Sequence, residues 1–108
     1  MTNYLFIESR GDFNGRREAF GGTLAAVLAR NGARVTMLLV QNGALTARRG
    51  ARSPRLDALV AAGVAVLADE FSLRERGIAT DRLRPGVEPS RLDVVIDRLL
   101  DGWQVIWH

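Results

Sequence analysis

The sequence predicts an α/β fold: a three-layer α/β/α sandwich built on a mostly parallel sheet of four or five strands. Three observations carry that expectation. Apolar runs of strand length recur at 4–7, 35–40, 64–68 and 103–107, with helically spaced segments between them. The run Val35-Thr36-Met37-Leu38-Leu39-Val40 is apolar at nearly every position instead of alternating, the habit of a strand covered on both faces. The intervening helical segments are short and end at Gly32, Gly63 and Gly102, which suits crossovers between parallel strands.

Tyr4 to Ile7 is the first strand, closed by Glu8-Ser9-Arg10-Gly11-Asp12. Phe13, Phe20, Leu24, Val27 and Leu28 then recur at helical spacing, with Asp12 or Asn14 as the N-cap. Gly21-Gly22 inside that helix costs about 1 kcal/mol per glycine relative to alanine, so a close approach of the sheet or of another subunit is expected there. The second strand ends at Gln41-Asn42-Gly43, and a basic loop with Arg48, Arg49, Arg52 and Arg55 follows. Ser53-Pro54 starts the next helix, a cap followed by proline at the first helical position, and Leu56, Leu59 and Val60 supply its buried face. The third strand exits through Asp69 and Glu70 to a helix start at Ser72. Ala79 to Pro89 is polar and turn-rich, with Pro85-Gly86 its clearest turn and room for a brief strand near Val87. Ser90 caps the last helix, with Asp93 three residues on. Leu92, Val95, Ile96 and Leu99 form that helix's apolar face. Trp103 and Trp107 fall on one face of the final strand and read as core, or failing that as an oligomer surface.

Composition narrows the chemistry. At 108 residues, with 47% hydrophobic and 25% charged residues, one globular domain over 1–108 is expected. The chain has no cysteine, which excludes disulfides, thiolate metal sites and thiol nucleophiles. Its one histidine is His108, so a multi-histidine metal site within one chain is excluded and an internal Ser-His-Asp arrangement is disfavoured. No metal, cofactor or catalytic residue is assigned. The N-terminal stretch has neither a basic leader nor a long apolar run, so a cytoplasmic protein without a membrane span is expected. A net charge of +3 is too small to argue for nucleic acid, and neither GxGxxG nor GxxxxGK[ST] occurs.

In open α/β sheets, ligands collect where the chain leaves the carboxyl ends of the strands. On that edge the sequence places a candidate pocket of Glu8, Ser9, Gln41, Asn42, Asp69, Ser72 and Arg76. Ser72 and Glu75 have capping-box spacing, which makes the hydroxyl a structural group before it is a nucleophile. Asp69 and Glu70 read as a second cap and a solvated charge, or as an acid pair if buried. Arg76 is placed to neutralise a helix C-terminus or to pair with Glu75 or Asp69. Arg48, Arg49 and Arg52 form a candidate anion-binding loop.

Five pieces in order carry a family resemblance over nearly the whole chain. They are the N-terminal strand, the helix ending in Asn31-Gly32-Ala33-Arg34-Val35, the Gln41-Asn42-Gly43 turn, the segment Ser72-Leu73-Arg74-Glu75-Arg76-Gly77-Ile78, and the terminal strand. Together they resemble the DsrE/DsrF-like family, small α/β proteins of sulfur relay. The family pattern at the fourth piece is a cysteine, Leu, two variable residues and Arg-Gly-Ile. Ser72 stands where that cysteine would be, and Asp69 where some members have another. A serine hydroxyl stays protonated and cannot carry sulfane sulfur. The resemblance also implies a homo-oligomer, a trimer or hexamer. Three functions follow: a non-catalytic assembly or binding protein with a protein partner or small anionic ligand, an enzyme using Asp69, Glu70 and Ser72, or an anion- or nucleic-acid-binding module using the Arg48–Arg55 loop. The first is favoured, because it requires neither thiol nor histidine.

Overall fold

The structure is a computed structural model that describes residues 2–10 and 19–107. Five strands, β1 (Asn3–Glu8), β2 (Arg34–Leu39), β3 (Ala65–Asp69), β4 (Val87–Ser90) and β5 (Gln104–Trp107), form one sheet. Every pairing is parallel, and the order is β4-β3-β2-β1-β5. The helices are α1 (Ala19–Arg30), α2 (Pro54–Ala61), α3 (Glu70–Glu75) and α4 (Asp93–Leu100), with 3-10 segments at Gln41–Ala47 and Thr80–Arg82. The expected α/β sandwich is therefore present, with the strand near Val87 as the fifth. The N-cap expected at Asp12 or Asn14 and the side chains of Phe13 and Phe20 lie outside the described residues.

Strand alternation divides the core between two faces. On the first, Phe6, Met37, Leu39, Val66 and Ala68 pack under α1, α2 and the Gln41–Ala47 segment. On the second, Leu5, Ile7, Leu38 and Val40 pack against Val94 and Val95 of α4 and against Trp103. β2 is buried at every position from Val35 to Leu39, as its unbroken apolar run predicts. Ser53 caps α2 by accepting from the Leu56 backbone N–H (3.2 Å), with Pro54 at the first helical position.

Several expectations need correction, beginning with Val60, which is exposed, so that α2 buries Leu56 and Leu59. Ser90 does not cap α4: it ends β4, its hydroxyl donates to the Arg91 carbonyl, and no side chain caps the helix. The stripe Leu92, Ile96 and Leu99 does not face the sheet but is exposed, because α4 turns Val94 and Val95 inward. Trp107 is not core; it is 66% exposed, while Trp103 is half-buried under the Arg98 guanidinium, 4.8 Å from the ring centroid. Among the described residues, α4 is the helix packed on the second face. Ala65 of β3 is exposed, and Leu67 on the same side is only half-buried.

Candidate functional site

The site is built on the turn from β3 into α3. Asp69 ends β3 in an extended conformation and is itself the N-cap, so α3 begins at Glu70 and not at Ser72. Its Oδ2 accepts the Ser72 backbone N–H at 3.0 Å and the Ser72 hydroxyl at 2.7 Å. The expected Ser72–Glu75 capping box is absent because Ser72 is already the third helical residue, and a carboxylate three residues earlier takes the amide a cap must satisfy. The Ser72 hydroxyl in turn accepts the Gln41 backbone N–H at 2.8 Å. Gln41 holds φ at 50°, a left-handed conformation that a non-glycine residue adopts at a cost of roughly 1–2 kcal/mol. Asp69 and Ser72 are 3% and 4% exposed. This closed set of hydrogen bonds ties the exit of β2 to the exit of β3.

Arg76 reinforces the same tie from outside. It donates to the Ser72 carbonyl at 3.3 Å, helping to satisfy the helix terminus, and to Asn42 Oδ1 at 3.1 Å. Its partner across the turn is thus Asn42 and not Glu75 or Asp69. Glu8 and Ser9 reach the group through their backbone: the Val40 N–H donates to the Glu8 carbonyl at 2.9 Å and the Gly43 N–H to the Ser9 carbonyl at 3.2 Å. A Cβ at Gly43 would run into the Glu8 carbonyl oxygen, which is why glycine stands there.

A cleft of about 410 Å³ opens over the carboxyl ends of β1, β2, β3 and β5. Gln41, Asp69, Ser72 and Glu75 supply its polar side. Ile7, Val40, Phe71, Leu92, Val95 and Trp107 supply an apolar wall. Among the described residues no group of three or more His, Cys, Asp or Glu side chains is placed to hold a metal ion.

The sequence matches the DsrE/DsrF-like family profile over residues 2–108. The chain belongs to the DsrE/DsrF-like family. Among solved structures, the ychN protein from E. coli matches with a TM-score of 0.82 at 22% identity, covering 100% of each chain. The protein of unknown function MTH1491 from Methanobacterium thermoautotrophicum matches with a TM-score of 0.77 at 23% identity, again over 100% of each chain. The conserved protein of unknown function BT1422 from Bacteroides thetaiotaomicron matches with a TM-score of 0.74 at 14% identity, over 98% of this chain and 95% of that one. At these identities the likeness is one of fold. Comparison with curated proteins finds no match.

Of the expected pocket residues in this DsrE/DsrF-like chain, Gln41, Asp69 and Ser72 line the cleft, whereas Glu8, Ser9, Asn42 and Arg76 do not line it and join the group through the hydrogen bonds above. Ser72 donates to a carboxylate and accepts from an amide, and an aspartate is too weak a base to hold a serine ionised. Arg48 and Arg49 are elsewhere, on a separate cavity with Arg82; Arg52 does not line it. Phe71 and Trp107 line the cleft although neither belongs to the pocket expected from the sequence. The signal for Trp107 was its place at a strand's carboxyl end, whereas an isolated Phe71 offers none.

Proposed function

We propose that this DsrE/DsrF-like chain is a non-catalytic, self-associating protein that cannot carry sulfane sulfur itself. The observation that carries this reading is Ser72. At the position where the family resemblance puts the sulfur-bearing cysteine, a hydroxyl is closed into hydrogen bonds with Asp69 and Gln41. That arrangement supplies rigidity in place of a nucleophile. Its setting in this reading is the cytoplasm; no helix among the described residues is long and apolar enough to cross a membrane.

Self-association is supported by what lies beside the site. Ile96 and Leu100 of α4 are 61% and 81% exposed, and Phe71, Leu92, Leu99 and Trp107 are exposed with them. Large apolar side chains grouped in this way mark contact surfaces. A second copy seated on them would cover the cleft, so the assembly and the Ser72 edge belong to one surface. The favoured state is a trimer or its doubled form. Light scattering at micromolar concentration tests it: a multiple of the chain mass is expected, and a mass of one chain at every concentration would overturn the proposal.

A further inference from the structure

We propose that the cavity between the exit of the Gln41–Ala47 segment and the Thr80–Arg82 turn binds a small organic phosphate through Arg48, Arg49 and Arg82. The cavity is about 510 Å³, within the range of roughly 300–1,000 Å³ that small-molecule sites occupy. Two separate chain segments supply the three guanidinium groups, and the backbone clamps those segments together. The Arg49 N–H donates to the Arg82 carbonyl at 2.7 Å, the Arg84 N–H donates to the Ala47 carbonyl at 2.9 Å, and Arg48 and Leu83 form an antiparallel bridge. Ala47 and Leu83 are buried in the first core face, so the arginines spring from a fixed frame. Arg48 is further held by its Nε donating to the Leu45 carbonyl at 2.9 Å.

Charge decides the ligand class. Nearby Arg84 is neutralised by Asp57, and Arg76 is occupied by Asn42 and the Ser72 carbonyl. Arg48, Arg49 and Arg82 form no ion pair with a described carboxylate, and Asp81 does not line the cavity. Three cations facing one hollow repel each other until an anion enters, and planar guanidinium forks match phosphate oxygens in pairs. Ile78 and Ala79 give the cavity an apolar wall for the organic part. Among the described residues the cavity lining includes no aromatic ring on which a base could stack, and the three arginines share one cavity, which favours a compact ligand over a nucleic-acid strand. None of these residues lines the cleft at Ser72 or belongs to α4, so the inference stands apart from self-association.

Calorimetric titration of the whole chain with inorganic pyrophosphate tests it. Saturable binding that weakens as salt is raised is expected. Arg49→Ala and Arg82→Ala should each weaken it about tenfold, the loss of a charge-assisted hydrogen bond. Arg52→Ala, outside the cavity, should leave it unchanged. The altered side chains are exposed, and unchanged melting curves of the unliganded variants will confirm that each is folded. Three results would overturn the proposal: no binding of pyrophosphate at millimolar concentration, Arg52→Ala weakening it as much as Arg49→Ala, or tighter binding of a single-stranded RNA oligonucleotide that also depends on Arg52.

Discussion

Ser72 Oγ holds two short hydrogen bonds inside a buried turn, and that determines how substitutions there behave. Ser72→Ala removes the acceptor of the Gln41 N–H and the second donor to Asp69 together. A buried polar group left without its partner costs about 1–3 kcal/mol, so urea unfolding should report a loss of that size. Ser72→Cys is more informative. A thiolate at this position would receive the Gln41 N–H but would face the Asp69 carboxylate, and a neighbouring negative charge raises a thiol pKa. Alkylation of Ser72→Cys should therefore be slower than that of a free cysteine, and Asp69→Asn in the same background should speed it. Rapid labelling with Asp69 intact would show that the carboxylate does not govern this position. The sequence makes both residues visible as candidates but points to Ser72 as the cap at this helix start, where the structure has Asp69. Serine and aspartate are both good caps, and each has a free amide within three residues, so only the backbone path distinguishes them. Gln41 is legible as a residue of this edge, but its left-handed conformation is not, since its neighbours Asn42 and Gly43 are the types that favour one.

At the scale of elements, the Gln41–Ala47 segment and α4 show opposite limits of pattern reading. The stretch Gln41-Asn42-Gly43 reads as a turn because of its residue types. Its glycine is required by proximity: the segment lies against the end of β1, and the Glu8 carbonyl leaves no room for a Cβ. Gly43→Ala cannot be relieved by rotating a side chain, because the obstructing atom is backbone. It should cost about 1–3 kcal/mol, as overpacking does, and lower the urea midpoint without changing the slope. Unaltered stability would mean that β1 and the segment separate freely. In α4 the difficulty is excess of signal. Leu92, Val94, Val95, Ile96, Leu99 and Leu100 surround most of the helix, so two apolar stripes compete and periodicity alone cannot say which one meets the sheet. The stripe with Val94 and Val95 does, aided by Arg98 lying over Trp103. The strands were legible to within about a residue, because burial on both faces writes itself directly into composition.

For the whole molecule, the question is what covers the second face. Bare sheet edges are a weak reason for assembly here. Both edge strands, β4 and β5, are four residues long, and Pro89 removes one donor from β4, the usual means of blunting an edge. The stronger reason is the set of exposed apolar side chains: Phe71, Leu92 and Trp107 line the cleft, and Ile96, Leu99 and Leu100 continue from Leu92 along α4. If copies of the chain associate through it, folding and assembly are linked, and the melting temperature should rise with protein concentration. The double variant Ile96→Glu, Leu100→Glu places two charges on the exposed stripe without touching Val94 or Val95. Light scattering should then report one chain, and the concentration dependence of melting should vanish while a cooperative transition remains. The mass of the unaltered protein also distinguishes the geometries. A two-fold contact pairs the α4 surface with itself and closes at two chains, whereas a ring of three needs that surface to meet a different one. Three or six chains are expected. A double variant that keeps the unaltered protein's mass would show that the α4 stripe is not the contact.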